Sequence, residues 1–291
     1  MNKHNSGFIT LAFGRKFAEM AIDTALSLRE FHTEPISIAV DRAASRHLAR
    51  YQHHPFDKII VLPQKVHPFG ARFLLAEATP YEHTVSIDAD ILFLGKSTFL
   101  DHEYKAPLAM FGGYMSRDRD FQTYYSGKQI CADFGLSRYF WGQGALFVFR
   151  KTEVREMFRV CYDFYVSGIK KYPLYARGVL ADEMVFGIMG DKYPIDSISC
   201  PTMHPWPLPE DLPTITPDDH RWPVFHMVQA PNKAYMEFLM GELNRRRRDA
   251  GFPLVSELHW SNKGYHYRSP WDKMKHVHRK FWRKLGVHYF G

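Results

Sequence analysis

Between residues 7 and 90, strand-length apolar runs alternate with stretches of helical period, which restricts the chain to an α/β fold with a mainly parallel sheet. Gly7–Leu11 reads as a buried strand. Beyond the turn near Gly14, Phe17, Ala18, Ala21, Ile22, Ala25 and Leu28 fall on one helical face. Pro35 closes the connection, and Ile36–Val40 forms a second strand that ends in Asp41. Lys58–Leu62 is a third strand, residues 69–79 a helix stopped by Pro80, and Val85–Ile87 a fourth strand running into Asp88-Ala89-Asp90. Parallel sheets bind ligands beyond the carboxyl ends of their strands. Asp41 and Asp88 both stand at such ends and can face one crevice.

Past residue 100 the rhythm loosens. Ala145–Phe149 reads as a strand, residues 152–168 as a helix, Val224–Val228 as a strand, and the Pro-rich stretch 201–223 as an extended crossing. No internal repeat is evident. An apolar fraction of 45% supports a packed core and excludes a disordered chain. No apolar run is long enough to span a bilayer, and the opening residues lack the apolar core of a secretory signal. Cys131, Cys161 and Cys200 are odd in number and widely spaced, with neither a disulfide framework nor a zinc spacing. A cytoplasmic protein is expected, with a peripheral position at the inner membrane face as the further option.

The net charge of +7 divides unevenly. Residues 245–291 hold twelve Lys or Arg against Asp249, Glu257 and Asp272, giving +9, while residues 1–244 carry −2. The expected organisation is therefore a domain over 1–244 and a basic, aromatic extension over 245–291. In that extension Met274, Val277, Phe281 and Leu285 keep helical spacing among cations. Such a segment suits an anionic membrane surface, nucleic acid, or packing on its own domain.

The strongest local motif is Asp88-Ala89-Asp90. Two carboxylates two residues apart at a strand end can bind one hard cation and leave room for phosphate oxygens. The cation would offset charge that builds on a leaving diphosphate. D-x-D alone is weak, since solvated loop carboxylates are as common. An aspartyl-nucleophile phosphatase also carries D-x-D after a strand, but near the N-terminus and with a different following residue than Leu92.

The surrounding blocks carry more weight. Phe8–Arg29, Arg72-Phe-Leu-Leu-Ala-Glu77 leading to Ile87–Leu94, Gly142-Gln-Gly-Ala-Leu-Phe-Val-Phe-Arg150, Leu180-Ala-Asp-Glu-Met-Val-Phe186 and Val224-Phe-His226 with Lys233 occur in this order. Together they resemble glycosyltransferase family 8, the glycogenin-like and bacterial galactosyltransferase-like enzymes. The resemblance implies a GT-A fold, Rossmann-like in binding nucleotide sugars, and a hexose transfer from UDP-glucose or UDP-galactose with retention. The implied acceptor is a glycan or glycolipid. A hydroxylated base in DNA is the alternative acceptor, and a non-catalytic nucleotide-sugar or nucleic-acid binding protein is the alternative of another class.

The resemblance also implies roles. Asp88, Asp90 and His226 would be metal ligands, with Mn²⁺ ahead of Mg²⁺ because an imidazole takes part; a satisfied core histidine is the plain alternative for His226. Thr10, Leu11, Ala12, Phe17, Asp41, Arg72, Asp88, Ala89 and Lys233 would line the nucleotide-sugar site. Phe17 would stack on the base or simply join the core, and Asp41 would approach the ribose or cap the next helix. Arg72 would touch the donor sugar or its phosphate, or pair locally with Glu77 or Asp88. Lys233 would meet the diphosphate or remain a solvated lysine. Asp182, with Gln143 and Arg72, would act at the reacting sugar, unless Asp182 only stabilises a helix start. Gln143 stands where the family has Asn, Gly144-Ala145 where it has a small residue and Gly, and Glu183 where it has Gln. Trp141, His204 and Trp206 are candidates for an acceptor platform.

Overall fold

The structure, a computed structural model, describes residues 5–63, 66–116, 127–167, 181–201, 216, 218, 221–227 and 233–255. Its chain divides into two compact units, Met1–Glu210 with His220–His226, and Asp211–Asp219 with Met227–Gly291.

The first unit is built on seven strands: β1 (Ser6–Ala12), β2 (Ile36–Val40), β3 (Lys58–Val61), β4 (His83–Asp88), β6 (Leu108–Ser116), β7 (Arg138–Arg150) and β8 (Ile195–Ser197). They lie in the order β3-β2-β1-β4-β7-β6-β8. Pairing is parallel throughout except at β7, which runs antiparallel to β4 and to β6. The expected mainly parallel α/β sheet is present. All five residues of β2 are buried, as are most of β1 and β4. Continuous apolar runs are what a sheet covered on both faces requires.

Helices α1 (Gly14–Arg29) and α2 (Arg42–Leu48) pack against one another and on the β1–β3 end of the sheet. The segment read as one helix over 69–79 is three short pieces, α3 (Pro68–Ala71), a 3-10 turn (Arg72–Leu74) and α4 (Leu75–Ala78). Helix α5 covers Gly127–Phe134, α6 covers Lys151–Val166 and α7 covers Asp182–Met189. Phe158 meets Phe147 and Phe149 of β7, Phe186 meets Phe147 and Phe158, and Phe73 meets Phe186, in a run of edge and tilted ring contacts. This aromatic cluster anchors the 3-10 turn, α6 and α7 to the sheet beneath the site.

Two local features position that site. Strand β5 (Ile91–Phe93) follows β4 after a tight turn and pairs antiparallel with β9 (Val224–His226), setting Ile91 opposite His226. The β6–β7 ladder also shifts register: Met110 pairs with Phe147 but Phe111 pairs with Gln143. Gly144, Ala145 and Leu146 therefore have no partner on β6. This bulge occurs beside the carboxyl end of β4, and bulges commonly re-aim side chains next to functional sites.

In the second unit α8 (Lys233–Asp249) runs through residue 244 into the arginine run. Of the four arginines 245–248, Arg246 and Arg247 are buried, and Arg247 donates to the Pro253 carbonyl at 2.8 Å. Asn244 pairs its side-chain amide with both the N–H and the C=O of Val255. Half of the run is thus interior packing rather than a cationic face. The rest of the extension, including the helix expected from Pro270, lies outside the described residues, as do His204 and Trp206.

Candidate metal and donor site

Asp88 ends β4, Asp90 closes the following turn, and His226 ends β9. The turn is held from α1, where Thr24 Oγ1 donates to the Ala89 carbonyl at 2.8 Å and Ser27 Oγ accepts the Phe93 N–H at 3.0 Å. One ligand atom from each of Asp88, Asp90 and His226 lies within 4.8 Å of the others. His226 Nε2 is 3.1 Å from Asp90 Oδ1. Two carboxylates and one imidazole converging at this spacing match the donor set of a divalent cation of intermediate hardness.

The electrostatics agree with that geometry. Burial pushes Asp88 up to about 6, with Asp90 adding to the rise and Arg72 opposing it. Asp90 stays below its ordinary value despite burial, because the His226 imidazole faces it. His226 is raised in turn: burial works against its charge, and Asp90 outweighs burial. The carboxylates compete for positive charge, which a bound cation would supply.

Arg72 extends the cluster inward. Its Nη2 donates to Asp88 Oδ1 at 2.5 Å, its Nη1 donates to the Gly144 carbonyl, and its Nε lies 2.6 Å from Asp182 Oδ2. Burial opposes its charge, but Asp182 and Asp88 hold the guanidinium firmly protonated. Asp182, at the head of α7, is fully buried. In this arrangement it meets Arg72 rather than the open crevice. A Cβ on Gly144 would lie 2.6 Å from Asp182 Oδ2, so the glycine lets the bulge approach the ion pair. The Gly144 N–H in turn points to Glu183 Oε1 at a long 3.4 Å.

The residues expected to line a nucleotide-sugar site lie along the neighbouring strand ends. Leu11 is in register with Asp88 on one side and Ala39 on the other, and Ala12 with Val40. Thr10 and Ala12 are buried, whereas Leu11 and Phe17 are half-buried. Asp41 caps α2 through Oδ1, which accepts the Ala44 N–H at 2.7 Å and the Gly14 N–H at 3.0 Å. Gln143 is half-buried on β7 with its Oε1 enclosed and unbonded, and Trp141 is buried. Lys233 opens α8, exposed, 3.4 Å from Glu237. Sequence reasoning brought Asp88, Asp90 and His226 together. It treated Glu183 only as a departure from a pattern, although two adjacent acids in one helical turn were the available signal.

No protein-family model matches the chain, and no curated protein does. Solved structures do. The apo structure of the bifunctional glycosyltransferase WbbM aligns with 94% of this chain at a TM-score of 0.52 and 10% identity. The galactosyltransferase LgtC, in complex with donor and acceptor sugar analogs, aligns with 86% at a TM-score of 0.51 and 12% identity. The chain covers 98% of LgtC but 52% of WbbM, about half of that protein's length. GlyE of Streptococcus pneumoniae TIGR4 aligns over 88% of this chain and 66% of its own, at 0.49 and 10% identity. The chain has the GT-A fold of such glycosyltransferases, as the sequence blocks imply.

Proposed function

We propose that this protein is a metal-dependent glycosyltransferase that moves a hexose from UDP-glucose or UDP-galactose to a glycan or glycolipid, with retention of configuration. The convergence of Asp88, Asp90 and His226 at the carboxyl end of β4, in a GT-A fold, carries the reading. Mn²⁺ is the preferred ion, given the imidazole, and Mg²⁺ the second choice. When bound, it supplies Lewis-acid stabilisation of the leaving diphosphate. Asp88 and Asp90 hold it, Arg72 orients Asp88 from behind, and His226 completes the set. The ends of β1 and β2, with Asp41 and Phe17, offer the nucleoside a binding edge. Lys233 is assigned to the diphosphate on the sequence resemblance alone, and residues 245–291 to a peripheral contact with anionic partners. Among the described residues no helix is long and apolar enough to cross a membrane.

The test is a panel of UDP-, GDP- and dTDP-sugars, each with Mn²⁺, Mg²⁺ or chelator, read as donor hydrolysis and as thermal shift. Metal-dependent turnover of a UDP-hexose is expected. Donor-independent behaviour across the whole panel would remove the enzyme reading.

A further inference from the structure

One guanidinium faces too many carboxylates. Arg72 lies between Asp88 on β4 and Asp182 on α7, and Glu183 stands beside Asp182 in the same helical turn. If all three acids were ionised, a single buried cation would leave two charges uncompensated in a poorly solvated cluster. A cation held by Asp88, Asp90 and His226 would relieve Asp88. Arg72 then balances Asp182, and Glu183 remains in surplus.

A second observation comes from Asp182. It is wholly buried, and neither carboxylate oxygen receives a well-directed hydrogen bond from a fixed donor, despite the nearby Arg72 Nε. A buried carboxylate so placed can take a further donor beside Arg72. The neighbouring acid can supply one: the two carboxyls converge on Gly144, whose added Cβ would lie 2.6 Å from Asp182 Oδ2 and whose N–H points to Glu183 Oε1 at 3.4 Å. Glu183 is also the only partly exposed member of the pair.

We infer that Asp182 and Glu183 share one proton, carried by Glu183, so that Asp182 is the charged anchor of Arg72 and Glu183 presents a neutral acid to the crevice. Glu183 O–H donates to an Asp182 oxygen, while Glu183 Oε1 accepts from the Gly144 N–H. The neutral acid both donates and accepts, as an amide would, and adds no negative charge beside a diphosphate. Asp182 is then a positioning residue, acting through Arg72 on Asp88. That Glu183 meets the transferred sugar rests on the glycosyltransferase reading; its protonation does not.

The groups that face Glu183 are Asp182 on α7, Arg72 from the 3-10 turn, and Tyr139 and the Gly144 amide from β7. Burial is the largest influence on its titration and Asp182 the next; together they push it up to about 8, against Arg72. The folded chain therefore keeps a proton that the unfolded chain releases from about pH 4.5 upward. Wild-type stability from this group is full below that value and is lost as pH rises toward about 8.

Melting temperatures of the full chain and of Glu183→Gln, measured from about pH 5 to about pH 9, decide the point. The variant's melting temperature should gain on wild type progressively up to about pH 8 and then hold a constant lead. A difference that does not change with pH overturns the proposal. Infrared titration of wild type needs no variant: a protonated carboxyl band that persists at neutral pH and vanishes about pH 8 is expected, and its absence overturns it as well. Turnover gives a third readout, an alkaline fall that Glu183→Gln removes whatever its absolute rate. Should wild type turn over no donor at all, the enzyme reading fails, while the stability and infrared results still decide the shared proton.

Discussion

His226 Nε2 stands 3.1 Å from Asp90 Oδ1, placed there by the β5–β9 ladder that sets His226 opposite Ile91. This pair joins two segments 136 positions apart in the chain, and only a cation or a proton can satisfy both at once. Asp90→Asn keeps the shape and removes the charge. It should abolish the rise in melting temperature produced by Mn²⁺ and lower turnover beyond the about 10–100-fold typical of losing an outer partner. His226→Ala should weaken Mn²⁺ affinity less severely. A Mn²⁺ shift unchanged in Asp90→Asn would place the metal elsewhere.

Arg72 is the hub between Asp88, Gly144 and Asp182, and its loss leaves Asp182 buried without a counter-charge. Arg72→Ala should cost about 3–5 kcal/mol in chemical denaturation, the usual cost of breaking a buried pair from one side. Replacing both Arg72 and Asp182 with apolar residues should cost less than Arg72→Ala alone, because the fully buried Asp182 no longer remains as an orphan charge beside the part-exposed Asp88. Gly144→Ala should be destabilising by about 1–3 kcal/mol, since its Cβ would press on Asp182 Oδ2. If the double substitution is the worse one, the ion pair is not the source of the effect.

How far the sequence reaches can be seen element by element. Strands β1, β2 and β4 were readable because burial on both faces makes them unbroken apolar runs, and α1 because its apolar residues recur at helical spacing. Asp88 and Asp90 followed, since strand ends in such sheets are where ligands bind. Strand β6, Leu-Ala-Met-Phe-Gly-Gly-Tyr-Met-Ser, was missed: it has no alternation and two central glycines. Gly112 needs its φ of +143°, and a side chain there would run into the Trp141 carbonyl, a requirement of the neighbouring strand that local pattern does not display. The burial of Asp182 is equally a product of tertiary packing, set by the β7 bulge and by Arg72. Arg246 and Arg247 show the same limit, because charge composition alone reads them as surface.

Asp41 holds two elements with one oxygen, capping α2 through Ala44 N–H and tying down Gly14 N–H at the start of α1. Gly14 itself adopts φ +76°, so α1 enters through a turn that glycine favours. Asp41→Ala should cost about 0.5–2 kcal/mol through the cap. Asp41→Asn keeps an acceptor for both amides and should stay close to wild type in stability. A loss of nucleotide-sugar affinity in Asp41→Asn would then isolate a role at the ribose or base. Affinity unchanged in a stable Asp41→Asn would leave Asp41 a cap only.

His32 gives the chain an acid-sensitive point away from the metal cluster. Its Nε2 accepts from Ser97 N–H at 3.2 Å and lies 3.0 Å from Ser97 Oγ, with Nδ1 3.6 Å from Glu34. The ring is packed edge-on against Phe8 and Phe93. Burial lowers its titration point, and Glu34 only partly offsets this. The unfolded chain therefore takes up a proton at about pH 6.5 that the folded chain refuses. The stability contributed by neutral His32 is present above that pH and is lost as pH falls from about 6.5 through the lower folded value. His32→Gln offers Ser97 an uncharged acceptor near the Nε2 position and should lose less stability than wild type between about pH 7 and about pH 5. Parallel losses in the two proteins over that interval would show that His32 does not set the acid limb.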